Sequence, residues 1–327
     1  MRLHSFTKFV ASALLTLAVP LQAAAQAAAW PTMPVKVIVP YGPGSTPDLV
    51  ARIMSEQLGK RLGQPFVVEN KSGAAGNLGT MAVAQAKPDG HTVGVGTSGP
   101  MAANTVLYKK LPYDPLKEIV PVSIMATQPC IVVATDKIEG ATMPLVLDAL
   151  KKDPGKYNYS SMGVGSLAHL VMQLVAARSG SDIVHLSYRS SADAIGSLLG
   201  GHTQLACMPA GTVLGQIKAG KLRALAVSSG KRSTLMPEIP TLAEAGLGNV
   251  QADPWIGMFA PAGTPQPVIA RLHSEITLIL KTPQVIEQLK NLHFETVGST
   301  PEEMAAALAN DLATWKPIIE KYKITIE

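Results

Sequence analysis

The chain has 327 residues, 47% of them hydrophobic and only 16% charged, with a formal charge of +5. A chain this apolar can offset its conformational entropy by burial, which excludes disorder, and at roughly 150 residues per domain its length favours two domains. The basic excess hints at nucleic acid, but no run of Lys and Arg exceeds two residues and no aromatic side chains interleave them, so nucleic acid is not an expected partner.

The first 25 residues read as an export signal. Arg2 and Lys8 make a basic start, an apolar run follows from Phe9 to Leu21, and Ala23-Ala24-Ala25 offers the small-residue pattern that signal peptidase cleaves. The run is shorter than the roughly 20 apolar residues that span a bilayer, which disfavours the alternative of a membrane anchor. Removal of this segment takes away two of the basic residues and no acid, leaving a charge of +3.

Beyond it, strands and helices alternate. The strand VKVIVPY leads through GPGSTP to a helix from Asp48 to about Leu62 that closes at Gly63, and then come strand FVVEN, a helix ending near Ala86 and strand HTVGVGT. A helix after Pro100, strand IVVAT and a helix from Leu145 to Lys152 follow. Next are strand YNYSS, helix Ser166 to Ala177, strand IVHLSY, helix Ala192 to Leu199, strand TQLACM, helix Val213 to Ala219 and strand RALAVSS. This rhythm predicts an α/β fold with largely parallel sheets, in two domains. After strand WIGMFAP the segment from Pro265 reads as helical, with starts at Thr264-Pro265, Thr282-Pro283 and Thr300-Pro301-Glu302-Glu303, and is expected to pack over the first domain.

In open α/β sheets ligands bind beyond the carboxyl ends of strands, where helix N-termini present unpaired N–H groups and partial positive charge. Four turns of this kind are rich in Gly, Ser and Thr. They are Tyr41-Gly42-Pro43-Gly44-Ser45-Thr46-Pro47-Asp48, Gly96-Thr97-Ser98-Gly99, Ser160-Ser161-Met162-Gly163-Val164-Gly165-Ser166 and Tyr188-Arg189-Ser190-Ser191. Such turns suit a carboxylate or another small anion, and Arg189, the one strong cation among them, suits a bidentate grip. Each turn taken alone could equally be a helix cap, Asp48 a cap residue and Arg189 a solvated surface side chain.

Other chemistries are poorly supported. Gly163-Val164-Gly165 with Ala168 imitates a dinucleotide fingerprint, but Asp182 precedes its strand instead of ending it. No Gly-Lys-Ser/Thr phosphate loop, Gly-x-Ser-x-Gly elbow or His-Glu-x-x-His pattern occurs, so no cofactor, metal or catalytic group is expected. Ser160, Ser161 and His169 share a turn without a nameable third group for hydrolysis. Cys130 and Cys207 lie in strand-like runs and are expected as buried free thiols, a disulfide being the alternative.

The run VKVIVPYGPGSTPDLVARIMSEQLGKRLGQPFVVENKSGAAGNLGT closely resembles the opening of the Bug family, the solute-binding receptors of tripartite tricarboxylate transporters. KPDGHTVGVGTSG, LYKKLPYDPLKE, YSSMGVGSLAHL, IKAGKLRALAVSSGKRS, PEIPTLAEAGL and WIGMFAPAGTP extend the resemblance in order over nearly the whole chain after the signal. The resemblance implies a two-domain periplasmic-binding-protein fold, type II-like, with the ligand cleft between the domains. The expected division is 1–25 as signal, 26–130 with 253–327 as the first domain, and 131–252 as the second. It also implies a periplasmic location, two membrane partners that complete the transporter, and a receptor expected to act as a monomer.

By the same resemblance, Tyr41 to Asp48 (Tyr41, Gly42, Gly44, Ser45, Thr46, Asp48) and Tyr188 to Asp193 (including Arg189, Ser190, Ser191, Ala192, Asp193) form a pincer on a carboxylate. Thr97, Ser98, Ser160, Ser161 and Gly163 match other pocket positions. The chain departs from the family's common Lys-Gly-Ser/Gly-Ala-Pro-Ala at Arg189 to Ala194, and from its frequent Phe-Asp-Asn at Cys207-Met208-Pro209. Loss of that Asp removes an acceptor for an ammonium group, and Met208 would add an apolar wall. The expected ligand is therefore a carboxylate with an apolar or aromatic body, such as a terephthalate-like dicarboxylate, in preference to an amino acid or citrate. The competing classes are an exported hydrolase of carboxylate esters and the effector domain of a transcription regulator.

Overall fold

The computed structural model describes residues 30–188, 191–248, 252 and 254–326. The expected signal at 1–25, and Arg189 and Ser190, lie outside the described residues.

In chain order the first group of elements is β1 (Val35–Val39), α1 (Thr46–Leu62), β2 (Phe66–Asn70), α2 (Asn77–Ala84) and β3 (Thr92–Gly96). Three short turns follow, α3 (Ser98–Met101), α4 (Asn104–Leu107) and α5 (Pro115–Glu118), and then β4 (Ile119–Thr127). A second group comprises β5 (Cys130–Ala134), α6 (Met143–Lys152), β6 (Asn158–Ser161), α7 (Leu167–Ser179), β7 (Val184–Ser187), α8 (Ser191–Leu199), β8 (Leu205–Pro209), α9 (Ala210–Lys218) and β9 (Arg223–Val227). The chain closes with β10 (Trp255–Pro261), α10 (Gln266–Leu280), α11 (Pro283–Asn291), β11 (Glu295–Thr296) and α12 (Pro301–Lys321).

The strands form two sheets, ordered β11-β4-β10-β3-β1-β2 and β7-β6-β8-β5-β9. Neither is largely parallel, contrary to the sequence expectation: four pairings are parallel and five antiparallel. The antiparallel pairings belong to the strands that carry the chain between sheets. Strand β4 leaves the first sheet and β5 enters the second with only Gln128 and Pro129 between them, and β10 brings the chain back between β3 and β4. No strand is named from the sequence where β4 lies, and Pro121 within it removes a ladder donor. Here Pro121 pairs with Phe259 beside a register shift, the kind of irregularity at which a missing N–H is tolerated.

Alternation along β1 builds the first half. Val35, Val37 and Val39 face Val50, Met54 and Leu58 of α1 and Leu272 and Ile276 of α10, while Ile38 faces the opposite layer with Phe259, Met304 and Leu308. Gly94 on β3 lies directly opposite Phe259, and a Cβ there would come within 2.3 Å of the aromatic ring, so only glycine admits this packing. In the second half, Val132, Tyr159 and Cys207 pack against α6 and α7, and Ile131, Val133 and Met208 against α8 and α9. Cys130 and Cys207 are buried and free.

The helical tail does more than cover the first half. Thr300 caps α12 through a complete capping box with Glu303, as Thr-Pro-Glu-Glu requires. Met304 and Leu308 then pack on the first sheet, whereas Trp315 and Ile319, farther along the same helix, belong to the core of the second. The expectation of packing over one domain is thus corrected: the apolar stripe of α12 continues past the first sheet and finds its partners on α7. Among the described residues no helix is long and apolar enough to cross a membrane.

Candidate functional site

The carboxyl ends of β1, β3 and β6 open into a cleft of about 490 Å³ between the two sheets, a size suited to a small organic ligand. Its lining combines polar side chains, Tyr41, Ser45, Thr46, Thr97, Ser98, Asn104 and Ser166, with apolar ones, Met162, Val164, Leu167, Leu170, Trp315 and Ile326. Among the described residues no Asp, Glu, Lys, Arg or His lines the cleft.

The loop before α1 is shaped from below. Asp48 is 1% exposed, and its carboxylate accepts the Gly44 N–H at 2.8 Å, Arg52 Nε at 3.0 Å and Asn70 Nδ2 at 2.9 Å. Asn70 also donates to the Tyr41 carbonyl at 2.9 Å, so one carboxylate and one amide tie both ends of the loop. Burial by itself would raise the Asp48 pKa, but the bonds from Arg52, Gly44 and Asn70 outweigh it and hold the carboxyl below its usual value. Asp48 therefore stands beneath the loop and does not line the cleft. Ser45, the N-cap residue of α1, makes no side-chain capping bond, and its buried Oγ has no hydrogen-bond partner. A buried hydroxyl without a partner costs free energy unless something in the cleft satisfies it. Across the mouth Tyr41 Oη and Thr97 Oγ1 lie 2.7 Å apart, and burial pushes the Tyr41 phenol up to about 12, so it stays a neutral donor or acceptor.

On the opposite side the loop from Ser161 to Ser166 is held by histidines. Ser161 Oγ lies 2.6 Å from His185 Nε2 and also bonds the Gly163 backbone, while the Gly165 N–H donates to His169 Nδ1 at 3.0 Å. The acceptor role of Nδ1 places the His169 proton on Nε2 and requires a neutral ring. His169 and His185 stack at 4.1 Å with Tyr159 beside them. Burial first, and the neighbouring His185 second, lower the His169 pKa from 6.5 to about 4, and burial lowers that of His185. A histidine with a depressed folded pKa contributes stability that is complete above pH 6.5 and is lost as pH falls toward about 4. His169 is accordingly expected to contribute a loss on the order of 3 kcal/mol across that window, read by urea denaturation as the difference between the pH profiles of wild type and His169→Asn. Parallel profiles for the two proteins would contradict it.

The structure brings Tyr41, Ser45, Thr46, Thr97 and Ser98 together in one cleft and places Gly42, Gly44 and Gly163 in the loops that shape it. Ser160 and Ser161 are fully buried, with Ser160 Oγ donating to the Ala194 carbonyl. Ser191, Ala192 and Asp193 start α8 and are not among the lining residues. Met208 is fully buried beside Ile131 and Val133 and forms no wall of the cleft, because alternation along β8 turns it toward α8 and α9 while Cys207 faces the other layer. The apolar wall comes instead from Met162, Leu170, Trp315 and Ile326, and Asn104 adds an amide that the sequence did not single out.

Two α/β halves joined by crossing strands, with a cleft at strand ends that no Asp, Glu, Lys, Arg or His of the described residues lines, have the architecture of a solute-binding protein of the periplasmic type. The family of tripartite tricarboxylate transporter receptors (TctC) matches residues 50–324. BugT of Bordetella pertussis is 34% identical over 295 residues, covering 89% of this chain and 90% of that protein. Among solved structures, a Rhodopseudomonas palustris protein with adipate superposes with a TM-score of 0.77 at 29% identity, over 89% of this chain and 97% of that one. MatC from the same organism, with bound malate, does so with a TM-score of 0.74 at 28% identity, over 89% and 100%. The chain belongs to the Bug family of tripartite tricarboxylate transporter receptors.

Proposed function

We propose that this receptor captures a small carboxylate with an apolar or aromatic body, of the terephthalate or adipate kind, and delivers it to the two membrane components of a tripartite tricarboxylate transporter. The observation that carries this reading is the mixed lining of the cleft: the N-terminus of α1 and the unpartnered Ser45 hydroxyl together with Met162, Leu170, Trp315 and Ile326. Helix N-termini and hydroxyls suit a carboxylate without demanding a counter-charge, and the apolar side chains disfavour the third carboxylate of citrate or an ammonium group. That two similar structures hold adipate and malate supports a carboxylate ligand, and adipate, with its apolar chain, supports the finer class. In this reading residues 26–130 with 253–327 and residues 131–252 are separate domains that close over the ligand. The closed state is stabilised by the ligand's differential contacts and is what the membrane components recognise. The protein acts in the periplasm as a monomer after loss of residues 1–25, with Arg189 as a charged anchor, and uses no metal or cofactor.

Calorimetry with adipate, terephthalate, malate, citrate, aspartate and glutamate tests the proposal, alongside native mass spectrometry of gently purified protein for co-purified ligand. Adipate or terephthalate is expected to bind most tightly. Far tighter binding of aspartate or glutamate would sink the ligand class, and turnover of a carboxylate ester by the purified protein would replace the receptor with an exported hydrolase.

A further inference from the structure

A chain of buried polar side chains leads from the interior of the first half to the cleft. Asn77, which opens α2, and Asn104, which opens α4, are 2% and 4% exposed, and their side-chain amides meet at 2.7 Å. Tyr113 Oη lies 3.1 Å from the same Asn77 amide atom and 2.7 Å from the Pro100 carbonyl oxygen. Of these three side chains Asn104 alone lines the cleft. Its second amide atom, the one turned away from Asn77, bonds no protein group among the described residues.

An amide oxygen and an amide nitrogen occupy nearly the same space, so their partners decide which is which. A backbone carbonyl can only accept, so the single Tyr113 hydroxyl proton goes to Pro100. Burial raises the Tyr113 pKa, and the phenol keeps that proton. Tyr113 Oη then turns lone pairs toward Asn77 and needs a donor there, which only the amide nitrogen supplies. That nitrogen carries two hydrogens, one for Tyr113 and one for Asn104, and the Asn104 atom that meets it is then the amide oxygen. The opposite orientation, with Asn104 donating to Asn77, splits one Tyr113 proton between two acceptors. It gains only a contact of 3.5 Å with the Ala75 carbonyl, longer than a normal hydrogen bond.

We infer that Asn104 turns its amide nitrogen to the cleft and is a specificity-determining residue, a fixed donor that selects a carboxylate oxygen on the ligand and rejects an ammonium group. This rests on the carboxylate reading above. The Asn77–Tyr113 pair holds the amide in this orientation before the ligand arrives, because turning it over would set two nitrogens face to face. A buried donor without an acceptor costs free energy, and a ligand carboxylate removes that cost. An ammonium brings a second donor to the same place, and no Asp or Glu among the described residues lines the cleft to receive it.

Nuclear magnetic resonance of the full chain with adipate tests the orientation, the side-chain amide signals being assigned through Asn77→Asp and Asn104→Asp. Saturating adipate is expected to shift the Asn104 amide pair, while the Asn77 pair stays in place and is the better protected from water exchange. An Asn104 pair that is itself the protected one and ignores adipate overturns the inference. Calorimetry with adipate and ε-aminocaproate tests the selection. Asn104→Asp keeps an oxygen for the Asn77 N–H and turns a carboxylate to the cleft. It is expected to lower adipate affinity by about 10- to 100-fold and to bind ε-aminocaproate more tightly than wild type does. Asn104→Ala provides the second arm and is expected to lose adipate affinity without gaining ε-aminocaproate. Unchanged adipate affinity in both variants, or wild-type binding of ε-aminocaproate as tight as that of adipate, overturns the inference while leaving the receptor reading intact. Failure of every carboxylate in the panel to bind overturns both.

Discussion

Trp315→Ala is expected to lower the unfolding free energy by about 3–5 kcal/mol and to weaken adipate binding at the same time. Trp315 is the largest fully buried side chain among the described residues, its partners in the second core include Leu170 and Ile319, and it also lines the cleft. Truncation leaves a cavity that the helix cannot collapse to fill, because Met304 and Leu308 hold the same helix to the first sheet. Urea denaturation and calorimetry on the same preparation read both effects. Loss of stability with unchanged affinity would mean that Trp315 serves only the core.

Asp48→Ala is the second large effect. It removes the acceptor of three hydrogen bonds, from Gly44, Arg52 and Asn70, and leaves the Gly44 N–H and the Asn70 amide without their partner. Bonds to a charged acceptor contribute about 1.5–3 kcal/mol each, and Arg52 is exposed enough to turn to water, so a net loss of about 2–4 kcal/mol is expected. The loop from Tyr41 to Ser45 would lose its shape as well. Amide exchange at Gly44 should accelerate, and adipate affinity should fall by about tenfold, the equivalent of about 1.4 kcal/mol of lost preorganisation. Asp48→Asn, which keeps an acceptor but loses the charge, should fall between the two. A variant that binds adipate like wild type would show that the loop needs no latch.

What could be read from the sequence divides along the range of the interactions involved. Strand β10 was legible to the residue, since WIGMFAP is a compact apolar run bounded by turn residues, and the start of α12 was legible because Thr300 and Glu303 satisfy each other's backbone locally. The convergence of Tyr41, Ser45, Thr97 and Ser98 was legible too, because the loops after parallel strands of one sheet must share an edge. The direction of β4 and β10 was not, since parallel and antiparallel neighbours leave the same hydrophobic pattern in a buried strand. The apolar wall was also hidden. Trp315 and Ile326 are some 150 residues from Met162 and Leu170, and nothing in α12 distinguishes a tryptophan that packs a core from one that also borders a ligand. Met208 was misplaced for a related reason: its neighbour Cys207 faces the other layer, and a strand's sequence alone does not say which of its two faces looks toward the site.

The described lining of the cleft has a kinetic side. Among the described residues no Asp, Glu, Lys, Arg or His borders it, and a formal charge of +5 spread over 327 residues adds no focused field there. Such a lining sets no strong preference among incoming carboxylates, and related ligands differ mainly in how fast they leave. Discrimination resides in departure: a ligand that meets both the hydroxyls and the apolar side chains of the lining stays, and one that meets a single kind leaves sooner.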